Sequence, residues 1–425
     1  MAKKNVLIIG GGAAGLAAAR ALSTTGASVH IVEKSGFLGG HAIGYTCKAA
    51  EECLQCGACS VEKLLKEVSQ DDGITVHLNT TIKTVKEKNG FSVSLKKGPV
   101  YINPDKCTNC GVCYEKSPVP GAVQRGYSSG NHPLYAVNPD LVAESGELEK
   151  ICPEDAIDLA AKTTSKTLSF KAVILASGFK AFDPALKKTY GYENFPNVIS
   201  GLDLERIKRE NGLLVRPSDG QAPRKIAFIQ CVGSRDERLG NLWCSRVCCP
   251  YALRAARSIR HKEPETEITV FYMDIQNIGK EFPVFHEICR DSFRFIRSIP
   301  VDVFPDQNDS LSIRFFDEDG LAVPSAEEDE EGATPEPGRA VYDTFDLLVL
   351  SVGITPNPDN RELADQFGLK TDQDGFIRIA GDPDAVTTDR QGVFVAGTAH
   401  QPKTIEASIA QAGKAAQEAM QYLGE

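Results

Sequence analysis

Apolar positions along the chain fall in short runs that alternate with glycine turns and helical patterns. Val6-Leu7-Ile8-Ile9 is a β-branched run of the kind buried in a parallel sheet. Gly10-x-Gly12-x-x-Gly15 follows at once, and Leu16 to Leu22 then reads as a helix. A second strand, Ser28 to Val32, ends at Glu33. Val173 to Ala176 is another strand, closing on Ser177-Gly178. Leu347 to Val352 repeats that pattern and runs through Gly353 into Thr355-Pro356-Asn357. Val393 to Ala396 ends on Gly397 and precedes an Ala-rich helix from about Thr404. This order predicts an α/β protein. The longest apolar run lies around Leu347–Val352 and falls far short of the ~20 residues a membrane helix needs.

The first turn carries specific chemistry. Gly10 allows the tight turn, Gly12 lets backbone approach a pyrophosphate, and Gly15 lets helix and strand pack closely. The helix start at Ala13 and Ala14 offers free amides to phosphate. Glu33, followed by Lys34, sits at the spacing of the acid that accepts hydrogen bonds from a ribose diol. The bland alternative is a glycine turn with no ligand, but the full strand–turn–helix–strand–acid context opposes it. The distant strand ends at Ser177-Gly178 and Gly397 favour FAD over NAD as the dinucleotide, with Thr398 and Lys403 beside them as candidate cofactor residues.

Composition narrows the field. The 425 residues suit two or three domains, and 42% apolar with 24% charged residues excludes a mostly disordered chain. A net charge of −10, a single Trp and no basic run make a poor nucleic-acid binder. The start, with Lys3-Lys4 and an apolar stretch, mimics a secretion signal, but the glycines interrupt it. The expected location is therefore cytoplasmic, where thiols stay reduced. Thirteen cysteines there point to metal or redox chemistry rather than structural disulfides.

The cysteines divide into three sets of four, plus one. Cys107-x-x-Cys110-x-x-Cys113 is half of a bacterial ferredoxin motif, and Cys152-Pro153 supplies the fourth ligand. Four thiolates also suit zinc, although the double C-x-x-C step and the Cys-Pro favour a [4Fe–4S] cluster. Cys53-x-x-Cys56-x-x-Cys59 repeats the triplet, with Cys47 upstream as its candidate fourth ligand. A helix from Val61 to Val68 begins just after it, and its N-terminal dipole would stabilise a more negative cluster. Zinc or plain buried thiols are the alternatives for this set. Cys231, Cys244, Cys248 and Cys249 form the third set, and spacing alone leaves a cluster there open. Cys289 reads as a buried apolar thiol.

The series of strands and glycine turns resembles the thioredoxin reductase-like flavoproteins, which carry two dinucleotide-binding domains. In that class the last strand ends in Gly-Asp; here Thr398 stands in the Asp position. The second glycine fingerprint is also missing. Ile226-Ala-Phe-Ile-Gln-Cys-Val-Gly-Ser-Arg235 puts a cysteine in that turn, so a pyridine nucleotide is not expected to bind in the usual way. Gln230 to Asp236, Trp243 to Cys249, Phe37-Leu-Gly39-Gly40, the ferredoxin motif and Gly397 to Pro402 resemble the A subunit of heterodisulfide reductase. The resemblance implies an FAD core with [4Fe–4S] clusters, here two to three, the third cysteine set among them. It also implies an electron hub inside a multi-subunit anaerobic oxidoreductase. The chain resembles short members of that family, including the A subunit of the quinone-interacting membrane-bound oxidoreductase. Partners are then other subunits of such a complex, with any membrane contact made through a partner and none with nucleic acid.

The expected organisation is a thioredoxin reductase-like fold with an inserted ferredoxin-like segment. Residues 1–99, 161–200 and 346–425 make the FAD-binding domain, 100–160 the insert, and 201–345 a second nucleotide-like domain without nucleotide. The insert should lie peripherally and exchange electrons with a partner. Arg235 and Arg246 either offset cluster charge or make surface salt bridges, and His400 and Lys403 approach the pyrimidine side of the flavin. Asp317 to Arg339 is acidic and Pro/Gly-rich, a solvated loop. Two other functions compete: a self-contained NAD(P)H-dependent disulfide reductase and a zinc-bound scaffold without redox role.

Overall fold

A computed structural model describes residues 4–129, 132–144, 146–276, 282–316, 340–382 and 384–424. The acidic stretch at 317–339 lies outside them. The first sheet is parallel, in the order Val393–Val395, Ala172–Leu175, Asn5–Ile9, Ser28–Val32, Ile74–His77. Its central strands are buried on both faces, which is why they read as unbroken apolar runs. Helices Ala13–Ser23 and Ile405–Gly424 pack together on one face. Their contact is built from Ala17, Ala18, Ala412, Ala415 and Ala416, small side chains that let two helices approach closely. An antiparallel sheet of Thr80–Glu87, Phe91–Lys97 and Thr164–Phe170 covers the other face.

The second parallel sheet runs Val198–Ser200, Leu347–Val352, Lys225–Val232, Glu267–Phe271, Arg294–Ile296. This corrects two boundaries expected from sequence. Leu347–Val352 and Val198–Ser200 belong to the second sheet, not to the flavin-domain segments 346–425 and 161–200. An apolar run buried on both faces fits either sheet equally well, so the run alone could not decide. The chain crosses between the two sheets twice, and the crossings pair as an antiparallel ribbon, Phe179–Ala181 with Ile354–Pro356.

Between the strands Phe91–Lys97 and Thr164–Phe170 the chain makes a small separate core of Tyr101, Cys113, Ala122, Val123, Val137, Leu148 and Ile157. Its hairpin pairs Val123–Tyr127 with Pro133–Val137. Among the described residues no helix is long and apolar enough to cross a membrane.

Helix Gly201–Asn211 starts in a capping box. Ser200 Oγ accepts from the Asp203 N–H at 3.2 Å, and the Asp203 carboxylate accepts from the Ser200 N–H at 2.9 Å. Ser200→Ala is expected to cost about 1 kcal/mol, read as a lower denaturant midpoint with an unchanged slope.

Candidate functional site: a dinucleotide cavity and three cysteine sets

The first sheet ends in a long cavity. Gly10, Gly12, Ala13, Ala14, Glu33, Lys34, Gly39, Gly40, Ser177, Gly178, Gly397, Thr398 and Lys403 line it. Gly15 alone of the predicted cofactor residues does not. A Cβ there would sit 1.8 Å from the Gly10 carbonyl oxygen, so Gly15 seats the helix on the turn instead of facing the cavity. The Glu33 carboxylate accepts from the Gly11 N–H at 2.7 Å and the Ser35 N–H at 2.8 Å. These bonds aim it along the cavity wall, as a ribose-binding acid requires. Lys34 pairs with Asp359. Ser177 Oγ donates to Asn360 Oδ1 at 2.8 Å, and Asn357 Nδ2 donates to the Ser177 carbonyl at 2.6 Å. Thr398 is buried in the turn before the last helix, and the Gly397 N–H donates to Gln411 Oε1 at 2.9 Å. His400 Nδ1 lies 3.1 Å from the Ile377 carbonyl oxygen, and the ring does not line the cavity.

Phe37, Leu38 and Asn357, singled out in the sequence only as motif residues, also line the cavity, and sequence reasoning missed Tyr45 and the insert residues Arg125, Gly126 and Tyr127. A Cβ on Gly126 would lie 2.4 Å from the Phe37 ring, so the hairpin packs flat onto the loop before Gly39. The insert is therefore not peripheral throughout: its hairpin walls the cavity, and Cys110 is exposed. No local pattern in 123–127 announces a long-range contact of this kind.

Each cysteine set comes together. Cys47, Cys53 and Cys56 all act electrostatically on Cys59; Cys107, Cys110 and Cys152 act on Cys113; Cys231, Cys244 and Cys249 act on Cys248. Small cavities are lined by the whole second set and the whole third set. The first two sets share one loop geometry. Gln55 (φ 48°) and Asn109 (φ 56°) precede the middle cysteine, and Gly57 (φ 79°) and Gly111 (φ 82°) follow it. A helix begins next in both, Ala58–Ser69 and Val112–Glu115. Backbone amides turn toward sulfur in every set. Ala49 N–H donates to Cys47 at 3.5 Å, Asn109 N–H to Cys107 at 3.4 Å, Ala156 N–H to Cys152 at 3.3 Å, and Arg246 N–H to Cys244 at 3.3 Å.

Burial is graded. Cys47, Cys53 and Cys59 are exposed, whereas Cys248 and Cys249 are buried. Burial pushes the Cys231 thiol up to about 11 and Cys249 to about 12, and drives Cys248 well above its ordinary range. The neighbouring thiolates add to the rise at Cys248, while Arg235 opposes it at Cys231. Arg235 also forms a two-pronged ion pair with Asp274, so it both makes a salt bridge and reaches the set. Cys289 is buried on helix Phe282–Ser292, apart from all three sets. Among the described residues no group of three or more His, Cys, Asp or Glu side chains is placed to hold a single metal ion.

The first set adjoins the dinucleotide cavity. A second, mostly apolar cavity is lined by Cys56 and shares Tyr45, Phe179, Lys403 and Ile405 with the first. Lys403 is 7% exposed and faces both cavities, and burial lowers its pKa.

Residues 8–58 match the family of NAD(P)-binding Rossmann-like domains. Thioredoxin reductase of T. acidophilum superposes with a TM-score of 0.54 at 13% identity, covering all of both chains. The Lactococcus lactis thioredoxin reductase gives 0.53 at 14% identity, covering 99% of each. These two likenesses establish the fold. Over 96% of its length the chain is 34% identical to the A subunit of the H(2):CoB-CoM heterodisulfide,ferredoxin reductase of Methanothermobacter thermautotrophicus. Over 97% it is 33% identical to the iron-sulfur A subunit of the CoB–CoM heterodisulfide reductase of Methanocaldococcus jannaschii. The chain belongs to the family of heterodisulfide reductase A subunits. It spans 62% and 63% of those two relatives' own lengths.

A methyl group at position 15 must push the helix off the phosphate turn. Gly15→Ala is expected to cost about 1–3 kcal/mol of stability and to weaken flavin retention about tenfold or more, read from the flavin-to-protein absorbance ratio after gel filtration.

Proposed function

We propose that this chain is the FAD and iron–sulfur electron-transfer subunit of a multi-subunit oxidoreductase of heterodisulfide reductase type. FAD would lie along the cavity from Glu33 to Lys403, and [4Fe–4S] clusters in the cysteine sets. When bound, the flavin exchanges electrons in pairs and the clusters exchange them singly. One observation carries the reading: three quartets of thiols, one of them opening through Cys56 onto the cavity that shares Tyr45, Phe179, Lys403 and Ile405 with the dinucleotide site.

The chain's own residues have definite tasks. Gly10, Gly12 and the Ala13–Ala14 helix start hold the pyrophosphate, and Glu33 orients the ribose. The buried ammonium of Lys403 presents positive charge where a reduced, anionic ring would need it. The backbone N–H groups aimed at Cys47, Cys107, Cys152 and Cys244 set how much negative charge each cluster tolerates. A cubane spreads its four ligands over separate iron corners, whereas zinc draws them round one point. The double C-x-x-C step and Cys152-Pro153 favour the cubane over zinc.

A self-contained NAD(P)H reductase is disfavoured by the second domain. Cys231, next to last in the strand Lys225–Val232, takes a left-handed φ of 60°. A Cβ at Gly233 would fall 2.0 Å from the Phe182 ring. The strand end lacks a glycine fingerprint and is crowded by Phe182, which leaves no glycine-lined turn there for a second pyrophosphate. The partner that receives or supplies electrons is, on this reading, another subunit or a one-electron carrier protein, met at the exposed thiol sets.

Anaerobically purified protein is expected to carry flavin, and four iron and four acid-labile sulfide per occupied set. A colourless preparation would overturn the proposal. Cys110→Ala should remove one cluster's iron and slow transfer to partner subunits, with flavin content unchanged; unaltered transfer would remove the insert from the route. NADH added to the purified chain should leave the flavin absorbance unbleached, and rapid bleaching would restore the self-contained reductase.

A further inference from the structure

Helix Gly201–Asn211 is rooted in the second domain and sends side chains into two other parts of the molecule. Glu205 is 4% exposed and reaches the flavin-side segment. Its carboxylate accepts from the Thr46 N–H at 2.8 Å and from Thr46 Oγ1 at 2.7 Å, and it pairs with the equally buried Lys48. One turn on, Arg209 donates to three successive carbonyls: Ile43 at 3.2 Å, Gly44 at 3.2 Å and Tyr45 at 2.7 Å. The same guanidinium lies 4.1 Å from the centre of the Tyr127 ring, on the insert hairpin. Glu210 accepts from Arg125 at 2.7 Å and from Tyr114 Oη at 3.3 Å, both insert residues.

These contacts fall at a sensitive place. Segment 43–48 runs from the glycine pair at the cavity to Cys47 of the first thiol set. Tyr127 and Arg125 wall the same cavity. Besides this helix, the two sheet domains are joined by the ribbon Phe179–Ala181/Ile354–Pro356, by Arg254, which donates to the Leu54 carbonyl at 2.7 Å, and by the Trp243 ring set edge-on to Phe376. Domains joined by a few contacts of this kind move relative to each other by default. Electron tunnelling falls exponentially with distance, so a swinging joint would scatter its rate. Three carbonyls taken by one fork, with a ring stacked on it, is a contact a lysine ammonium cannot reproduce.

We infer that helix Gly201–Asn211 is a clamp that locks the second domain, segment 43–48 and the cysteine insert into one rigid body, with Arg209 as its central positioning residue. The clamp itself is independent of any cofactor; its consequence for electron flow rests on the function proposed above.

The test uses the full chain, purified anaerobically, with Arg209→Gln, Arg209→Lys and Glu210→Gln variants. In Arg209→Gln, amide hydrogen exchange is expected to rise tenfold or more in peptides covering 43–48 and 123–127. Lysine should restore part of that protection. Flavin and iron contents and the midpoint potentials should match wild type, while pre-steady-state transfer from flavin to clusters slows at least tenfold. Glu210→Gln weakens only the insert tie, so its rise should be confined to 123–127, and it serves if Arg209→Gln does not fold. Exchange unchanged in both peptides would overturn the clamp. Raised exchange with an unchanged transfer rate would overturn its role in the relay. Wild-type protein devoid of flavin and iron would sink the proposed function, and the exchange result would still decide the clamp.

Discussion

A thiol buried in an apolar setting resists ionisation, and four neighbouring thiols resist it more. That constraint shapes the part of this molecule that departs from its fold class. Cys248 and Cys249 sit at the start of helix Cys248–Lys262, buried against the second sheet, with Cys231 and Cys244 beside them. Arg235 is a cation near the set, and much of its charge is spent on Asp274. Burial there favours the neutral thiol at Cys231, Cys248 and Cys249. The first set is placed differently. Cys47, Cys53 and Cys59 are exposed to solvent.

The graded burial gives the fold a direction. The third set lies within the second domain, the first opens through Cys56 toward the dinucleotide cavity, and the second sits in an insert whose hairpin walls that cavity. Two features bring these places together: the close packing of Gly126 on Phe37, and the reach of Arg209 and Glu205 across to residues 43–48. Neither belongs to the sheets. Both are side-chain contacts laid over a frame that two thioredoxin reductases share.

Much of this was legible in the chain. The strand–turn–helix with Glu33 could be read because one ligand chemistry demands glycine, small residues and acid at fixed offsets. The C-x-x-C-x-x-C triplets were legible for the same reason, and the shared left-handed geometry at Gln55/Gly57 and Asn109/Gly111 shows why the spacing repeats. The sheet membership of Leu347–Val352 was not legible, because burial on both faces looks alike in either sheet. The contact of Arg125 and Tyr127 with the cavity was hidden too. It depends on how a hairpin folds back over the loop at Phe37, and nothing in either segment's own pattern encodes the other.

In the second domain the parallel sheet is regular up to the end of its central strand. Lys225–Val232 still lies between Leu347–Val352 and Glu267–Phe271, as a central parallel strand should. The irregularity is confined to its end. A register shift falls between Ile229 and Val232, and Cys231 takes a left-handed backbone that an L-residue adopts only when its surroundings hold it there. That twist turns the Cys231 side chain toward Cys244 and Cys248. Residues beyond it close the turn with Ser234 and Ser245 hydroxyls against Gly353. This strand end gathers the four sulfurs of the third set, and the left-handed backbone at Cys231 is its local mark.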